Sequence, residues 1–295
     1  MNERRKFQLC GTALLTPFKG GEVDYEAFAA CVDRQVEAGI HFLVPLGTTG
    51  ETPCLTTEEK QKVLEVAREH SGGRKLLAGV GTNSLAGTIE NIRSLENHGA
   101  DAFLVVVPYY NKPTQEGIYQ YFKAVAASTE KDVVIYNVPG RTGSNISADT
   151  TLRLARDVRN IVAVKEASGN YAQISSIIRN RPDDFSVLSG NDDETLSLMA
   201  TGADGVISVA SNIAPVEMVQ LTEALAFDDM AMARALHYRL MPLFKNCFIE
   251  SNPIPAKCAM ALLGLMENSL RLPLVPATKD TERIMAQTLE ELWKK

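Results

Sequence analysis

Short apolar runs recur roughly every 20–35 residues along the chain, and most are separated by segments with the periodicity of an amphipathic helix. The runs are QLCGTALLTPF, IHFLVPLG, KLLAGVG, DAFLVVVPYY, KDVVIYNVP, NIVAVKEA, FSVLSG and ADGVISVA. This alternation of strand and helix predicts a parallel sheet with right-handed crossovers. Eight strands before about residue 210 favour a (β/α)8 TIM barrel, a fold that is typically ~250 residues long.

Two of the predicted helices have clear start signals. Asp24 precedes a segment with apolar residues at four-residue spacing, so it is a predicted N-cap. Thr56 and Glu59 form a capping box at the start of the next helical segment.

A doubly wound open sheet is the alternative fold for this alternation. Dinucleotide-binding sheets of that kind carry a G-x-G-x-x-G turn after the first strand, and no such motif occurs there. The segment Gly79–Gly87 has the first two glycines and lacks the third at the right distance. We therefore interpret it as a plain strand-to-helix turn.

The alternation stops after the eighth strand, and from about Phe227 to Lys295 the pattern is helical throughout. Asp228 is a predicted N-cap in this region. One face of the last helix is lined by Met285, Leu289 and Leu292. The predicted division is a catalytic barrel over residues 1–225 and a C-terminal helical region over residues 226–295. Such an appendix serves subunit assembly or only stabilises the barrel.

Composition and charge exclude several classes of protein. The 295 residues are 45% hydrophobic and 22% charged, which is typical of a globular protein with a substantial core. The net charge of −6, without a basic run, argues against a nucleic-acid partner. No apolar stretch approaches the roughly 18–20 residues that span a bilayer, and the N-terminus is a poor signal peptide.

The five cysteines are odd in number, and no pair has C-x-x-C spacing. This usage predicts buried free thiols in a reducing, cytoplasmic compartment. The four histidines do not pair at ligand spacing, which disfavours a metal-dependent enzyme.

One lysine stands where a strand buried on both faces would emerge from the sheet. Lys165 follows the β-branched run at the start of NIVAVKEASGN, and the chemistry of such barrels lies at the C-terminal ends of the strands. Desolvation lowers the pKa of a lysine, and the neutral amine can form a Schiff base with a carbonyl substrate. The alternative is a structural ion pair with Glu166, which the alternation of side chains along a strand weakens.

Hydroxyl groups and one arginine cluster at the other strand ends. Each hydroxyl can both donate and accept, so a group of them can relay protons, although a tyrosine ring or a capped turn is the ordinary role of any single one. Arg141 lies in a loop shaped by proline and glycine and could bind a carboxylate bidentately, or simply be a solvated loop arginine. The hydroxyl residues are Thr48, Thr49, Tyr109, Tyr110 and Tyr136.

Seven motifs give the chain a family resemblance: GTTGE, PYYNKPTQEG, IYNVPGRTG, VKEASGN, LSGND, GVISVASN and NPIPAK. With these motifs in family order, the chain resembles the dihydrodipicolinate synthases, now called 4-hydroxy-tetrahydrodipicolinate synthases, from about Cys10 to Pro276. They belong to the N-acetylneuraminate lyase and class I aldolase superfamily. The resemblance implies a lyase that condenses pyruvate with L-aspartate 4-semialdehyde without a cofactor, on the route to diaminopimelate and lysine, in a cytoplasmic homotetramer.

The resemblance also implies a role for each matching residue. Lys165 would form the Schiff base with pyruvate, and Tyr136 would act as the proton donor and acceptor above it. Thr48 and Tyr110 would complete the relay, with Tyr110 reaching across from a neighbouring subunit. The substrate-binding residues implied are Thr49 and the backbone of Ile207 for the pyruvate carboxylate, Gly190 as a lining residue, and Arg141 for the carboxylate of the semialdehyde.

Two positions depart from the lysine-inhibited members of the family, which place a histidine and a glutamate in a regulatory pocket between subunits. The matching residues here are Lys60 and Gly87, whereas Asn83 and Tyr109 are retained. A lysine effector would meet a like charge and lose its carboxylate partner. We therefore expect weak or absent feedback inhibition by lysine.

Other functions within and outside the superfamily remain as alternatives. N-acetylneuraminate lyases and 2-keto-3-deoxy sugar-acid aldolases share the lysine and the tyrosine, but the Thr48–Thr49 pair, Tyr110 and Arg141 favour an amino-aldehyde substrate. A non-catalytic, ligand-binding barrel is the alternative of a different class, because fold alone does not establish activity. Such a protein would be expected to lose Lys165, Tyr136 or Arg141.

Overall fold

Eight parallel strands close into a barrel in the computed structural model, which describes residues 2–294. Met1 and Lys295, the outer bounds of the two predicted regions, lie outside the described residues. Each strand pairs with its neighbours in sequence, and the first strand closes the barrel against the last through the register Leu9↔Gly205. The predicted (β/α)8 fold is confirmed. The strands are β1 Leu9–Ala13, β2 Phe42–Val44, β3 Lys75–Gly79, β4 Ala102–Val106, β5 Asp132–Asn137, β6 Ile161–Glu166, β7 Ser186–Ser189 and β8 Gly205–Ser208.

Helices follow the strands around the outside and continue beyond the barrel. They are α1 Tyr25–Glu37, α2 Thr57–His70, α3 Leu85–Leu95, α4 Gln115–Ala126, α5 Ala148–Asp157, α6 Tyr171–Asn180, α7 Thr195–Ala200, α8 Pro215–Ala226, α9 Met230–Asn246, α10 Ile254–Leu262 and α11 Lys279–Trp293. The shorter elements are a hairpin of Phe18–Lys19 with Glu22–Val23, one helical turn at Pro139–Thr142, and 3-10 turns at Thr48–Gly50, Thr52–Cys54, Asp192–Glu194 and Ala210–Asn212.

The sequence signals for helix starts are confirmed at α1 and α2. Asp24 accepts a hydrogen bond from the Ala27 amide at 3.0 Å. Thr56 and Glu59 make both bonds of the capping box. These side chains satisfy amides that have no partner within the helix.

The prediction that Asp228 is an N-cap is wrong, because the N-cap of α9 is its neighbour Asp229. The Asp229 carboxylate accepts from the Met232 amide at 3.0 Å. Asp228 instead has a φ of +60°, in the turn between α8 and α9. Two consecutive aspartates offer the same capping chemistry, so the sequence pattern could not choose between them.

The C-terminal region contains α9, α10 and α11, but the expectation that it is helical throughout is wrong. Residues 265–278 run as turns and extended chain between α10 and α11. Pro242, by contrast, lies inside α9. The predicted apolar face of α11 is buried as expected, and α9 packs against both α8 and α11.

The core has two layers, because every barrel strand is covered on both faces. One apolar cluster fills the barrel interior with residues such as Phe42, Leu77, Leu104 and Val134. A second, larger cluster lies between the strands and the helices. Parallel strands buried in this way carry near-continuous apolar runs, so polar side chains within the barrel stand out.

Two further expectations concerned free thiols and the lack of a segment that could span a membrane. All five cysteines are free; Cys54 is half-buried, and the other four are buried. Among residues 2–294, no helix combines the length and the apolar character that crossing a bilayer requires.

Candidate active site

Lys165 occupies the second-last position of β6, inside the C-terminal end of the barrel. Its side chain is 6% exposed, and it stands opposite Tyr136 of β5 in the strand register. The Lys165 Nζ lies 4.3 Å from the centre of the Tyr136 ring. Burial lowers the pKa of Lys165 to about 8, an effect that Asp192 opposes and Arg141 reinforces.

The alternative role of Lys165, an ion pair with Glu166, is wrong. Glu166 is buried on the other face of β6, where Asn137 Nδ2 donates to it at 2.5 Å and Gln173 Nε2 at 3.2 Å. The Ser168 hydroxyl also donates to Glu166. Burial raises the pKa of Glu166, and these three donors partly counter that effect. Among the described residues, no carboxylate lies within ion-pair distance of Lys165, although the negative charge of Asp192 acts on it from farther away.

The bond between Asn137 and Glu166 lies directly behind the Tyr136–Lys165 pair. Asn137 and Glu166 stand opposite each other in the register of β5 and β6, one residue beyond Tyr136 and Lys165. Successive side chains along a strand point to opposite faces. The polar contact outside the barrel therefore fixes the two strands at the level where Tyr136 and Lys165 meet inside it.

A small cavity of about 50 Å³, the inner cavity, brings together six of the eight predicted catalytic and substrate-binding residues. It is lined by Lys165, Tyr136, Thr48, Thr49, Arg141 and Gly190. Tyr136 is buried, and burial raises the pKa of its phenol, whereas Arg141 and the Thr48 hydroxyl lower it. The absence of a side chain at Gly190 leaves room for the Lys165 side chain, because a Cβ there would lie 2.6 Å from Ala167 Cβ and 3.2 Å from Lys165 Cε.

A wider cavity of about 340 Å³, the outer cavity, shares Thr48, Tyr136 and Arg141 with the inner one. Lys60 and Tyr109 line its far side. Arg141 sits on the single helical turn Pro139–Thr142, exposed to solvent. Because it lines both cavities, it is placed to hold a charged group between them.

Four predicted site residues lie outside both cavities. Ile207 is buried in β8 within the barrel interior. The Asn83 carbonyl accepts from Asn111 Nδ2 at 2.9 Å, and Gly87 lies in the first turn of α3. Tyr110 is 88% exposed, with a φ of +72°. A single chain therefore does not bring Tyr110 to the relay.

Comparison with known proteins agrees with this geometry. The family model described as "Dihydrodipicolinate synthetase family" matches residues 6–292. The chain belongs to this family. Proteins named 4-hydroxy-tetrahydrodipicolinate synthase are 49% identical in Phocaeicola vulgatus, over 96% of each chain, and 46% identical in Thermosipho melanesiensis, over 97% of this chain and 98% of the relative.

Solved structures of dihydrodipicolinate synthases show the same fold. The structure from Thermotoga maritima has a TM-score of 0.95 at 44% identity, and that from Aquifex aeolicus has a TM-score of 0.94 at 46% identity. Each comparison covers 97% of this chain and 98% of the solved one.

Asp192, a buried carboxylate near Lys165, was not predicted from the sequence. Its Oδ2 accepts from the Val209 and Ala210 amides at 3.0 Å each, and its Oδ1 has no hydrogen-bond partner. Burial raises the pKa of Asp192, and its negative charge in turn raises that of Lys165. Asp192 is the last residue of the motif LSGND, whereas the family resemblance implies a role only for Gly190 in that motif.

Two polar residues of the NPIPAK motif were also missed. Asn252 lines the inner cavity, and its Nδ2 donates to Thr49 Oγ1 at 2.9 Å. Lys257 is completely buried beside Glu51. Both come from the C-terminal region, which the sequence had linked only to assembly or stability.

The lowered pKa of Lys165 predicts how imine formation depends on pH. Only the neutral amine attacks a carbonyl, so we expect the initial rate of imine formation with pyruvate to rise about tenfold per pH unit below pH 8. It should level off above that pH. The measurement is borohydride quenching at fixed times, followed by intact-protein mass spectrometry. A midpoint near pH 10 would contradict the desolvated lysine.

Proposed function

We propose that the protein is a 4-hydroxy-tetrahydrodipicolinate synthase, which condenses pyruvate with L-aspartate 4-semialdehyde on the route to diaminopimelate and lysine. The observation that carries the proposal is the buried, unpaired Lys165 beside Tyr136 at the mouth of the barrel. The family and the names of the relatives support the same reaction.

The reaction starts when the neutral Lys165 amine attacks the keto carbon of pyruvate. A proton delivered through Tyr136 lets the carbonyl oxygen leave as water, and an iminium remains. The iminium draws electrons from the neighbouring C–H bonds, so the methyl group loses a proton to the relay of Tyr136 and Thr48. This imine is itself the electron sink, and the proposed route therefore requires no cofactor.

The resulting enamine forms the new carbon–carbon bond by attacking the aldehyde carbon of the semialdehyde. The aldehyde oxygen takes a proton from Tyr136 and becomes the 4-hydroxyl group. The amine of the substrate then attacks the imine carbon, closes the ring and displaces Lys165. The enzyme returns to its starting state, and the product is 4-hydroxy-tetrahydrodipicolinate.

Substrate binding in this proposal uses residues that line the two cavities, together with Ile207 and Tyr110, which lie outside them. The Thr49 hydroxyl and the Ile207 backbone hold the pyruvate carboxylate, next to Gly190. Arg141 receives the carboxylate of the semialdehyde. Tyr110 completes the relay from a neighbouring subunit of a homotetramer built as a dimer of dimers. Its exposure within one chain supports this assignment.

The cellular setting follows from the proposed pathway. We place the enzyme in the cytoplasm, with small-molecule substrates and copies of itself as partners. The net charge of −6 supports the absence of a nucleic-acid partner, and the free thiols fit a reducing compartment.

The decisive test is a pair of experiments on the purified protein. Borohydride reduction with pyruvate should label the peptide that contains Lys165. An assay across candidate aldehydes should show turnover of pyruvate with aspartate semialdehyde. Cleavage of N-acetylneuraminate or a 2-keto-3-deoxy sugar acid, with the semialdehyde ignored, would transfer the assignment to those aldolases. A protein that forms no adduct and turns over neither substrate would be a ligand-binding barrel.

Arg141→Ala should raise the KM for aspartate semialdehyde about 10- to 100-fold, because a hydrogen bond to a charged group contributes about 1.5–3 kcal/mol. The KM for pyruvate should change much less. Steady-state kinetics with each substrate varied in turn separates the two effects. Arg4→Ala, which alters an exposed arginine 3.8 Å from Asp183, is the matched control. An equal rise in both constants would argue against the assignment of Arg141.

Feedback inhibition by lysine should be weak or absent. Lys60 lines the outer cavity, and no carboxylate does so among the residues that the structure describes. We expect half-maximal inhibition above about 1 mM, equivalent to binding weaker than roughly −4 kcal/mol. The double variant Lys60→His with Gly87→Glu, which supplies the family's regulatory residues, should become more sensitive. Inhibition of the unchanged protein below a millimolar would refute this expectation.

A further inference from the structure

A completely buried ion pair joins the C-terminal region to the loop that carries the active-site threonines. Lys257 Nζ of α10 lies 2.5 Å from Glu51 Oε1, and both side chains are 0% exposed. Burying two charges carries a large desolvation penalty, so such a pair is weak evidence for stability. A role in fixing a particular conformation is better attested for buried charges.

Further contacts hold both charges in one geometry. Lys257 Nζ also donates to the Ser269 carbonyl at 2.9 Å and lies 3.9 Å from the centre of the Phe18 ring. The second carboxylate oxygen of Glu51 accepts from the Arg271 amide at 3.1 Å. Two residues of the C-terminal region thus contact the Glu51 carboxylate: Lys257 in α10 and Arg271 in the segment that follows it.

The backbone of Glu51 adopts a conformation that its sequence alone would disfavour. Its φ is +52°, in the left-handed region that costs a non-glycine residue roughly 1 kcal/mol or more. Glu51 directly follows the 3-10 turn Thr48–Gly50, and its amide donates to the Thr48 carbonyl at 3.1 Å. Holding the Glu51 side chain therefore holds the end of the turn that presents Thr48 and Thr49.

Asn252 provides a second attachment to the same turn. Its Nδ2 donates to Thr49 Oγ1 at 2.9 Å, so the hydroxyl hydrogen of Thr49 remains free to donate elsewhere. Thr49 and Asn252 both line the inner cavity. The C-terminal region thus touches the turn at Thr49 and again at Glu51.

We infer that Glu51 and Lys257 are positioning residues, which set the turn so that Thr48 reaches Tyr136 and Thr49 reaches the pyruvate carboxylate. This inference rests on the proposed function for the roles of the two threonines. The C-terminal region is then a part of the catalytic apparatus, in addition to any role in assembly or stability.

The test compares variants of this pair with variants of a second buried pair, far from the cavities. Arg181 and Asp204 form an ion pair with side chains 4% and 5% exposed. Asp204 immediately precedes β8, at the N-terminal end of the barrel. Asp204→Asn leaves the buried Arg181 without its charged partner, and also Arg5, which lies 2.6 Å from Asp204, as Glu51→Gln does for Lys257. Both variants should lower the midpoint of thermal unfolding, but only Glu51→Gln should alter the kinetics.

For Glu51→Gln we expect the KM for pyruvate to rise and kcat to fall, with kcat/KM reduced about 10- to 100-fold. The double variant Glu51→Leu with Lys257→Met separates position from stability. Replacing a buried ion pair with apolar residues is often neutral or stabilising, so this variant should fold as stably as the unchanged protein yet keep the kinetic defect. Should it not fold, Glu51→Gln measured well below its unfolding midpoint gives the same readout.

Two results would overturn the inference. One is a double variant with unchanged kcat and KM, and the other is a Glu51→Gln variant whose kinetics match those of Asp204→Asn. The borohydride adduct with pyruvate supplies a readout that does not depend on the second substrate. If the unchanged protein forms the adduct but ignores aspartate semialdehyde, the proposed function fails. The positioning inference is then tested by the pyruvate dependence of adduct formation in each variant.

Discussion

Lys165→Ala is expected to reduce kcat/KM by about 10³-fold or more, which corresponds to about 4 kcal/mol of lost transition-state stabilisation. The variant has no amine to form the imine, and the threonines and Arg141 can only bind the substrates. Steady-state kinetics with pyruvate and aspartate semialdehyde gives the loss. Mass spectrometry after borohydride reduction should show no adduct.

The fold of this variant should survive the substitution. Lys165 makes no ion pair within the part of the chain that the structure describes, and below pH 8 the folded state carries the cost of a desolvated ammonium group. That cost falls as the pH rises from about 8 toward the pKa of an unfolded lysine, because over that range the unfolded chain binds more protons than the folded one. At pH 7 the alanine variant should therefore escape the charge penalty, although it leaves a small void.

Lys6→Ala is the matched control for the lysine, because Lys6 is a partly exposed residue paired with Asp132 at 2.7 Å. It should keep both turnover and the adduct. Retained turnover in Lys165→Ala, or an adduct that maps to another lysine, would remove the basis of the proposed mechanism.

Tyr136→Phe is expected to lower kcat about 10²- to 10⁴-fold, the usual contribution of a positioned acid or base. The ring still packs in the barrel interior, since only the hydroxyl is removed. Proton transfer to the departing oxygen and from the methyl group then loses its carrier. The KM for pyruvate should change little, because binding of its carboxylate depends on Thr49 and the backbone of Ile207.

Tyr119→Phe supplies the control for the hydroxyl, because Tyr119 donates to Asp157 at 2.9 Å outside both cavities. Rapid quenching with borohydride should show slower imine formation in Tyr136→Phe and not in Tyr119→Phe. If the Tyr136 variant kept kcat within about threefold of the unchanged protein, another group would have to be the proton carrier.

The strand pattern and the position of Lys165 could be predicted because both are local properties of the sequence. A β-branched run that ends in a lysine marks the C-terminal end of a buried strand, and alternation along the strand separates Lys165 from Glu166. Contacts made over long distances left no such trace. Asn252 and Thr49 are 203 residues apart in the chain, so their hydrogen bond depends on how α10 packs beside the barrel.

The sequence also could not predict which contact a residue makes where its side chain could bond to several different groups. Glu51 ends the GTTGE motif, but nothing local in the sequence indicates that its carboxylate turns toward Lys257. Asp228 and Asp229 offer equivalent caps, and only the helix start distinguishes them. For Tyr110, the family resemblance implied a role reached from a neighbouring subunit; within one chain its ring lies exposed on the loop after β4, and the role stays a prediction.

The pairing of β1 with β8 also governs how the polypeptide can be synthesised. One edge of β1 pairs with β2, which lies within the first 44 residues. The other edge pairs with Gly205–Ser208, which are synthesised much later. During translation that second edge stays unsatisfied, and open edges invite pairing between chains. Fragments that end before Gly205 would leave this edge and the matching one on β7 unpaired, and we expect them to aggregate more readily than the full chain.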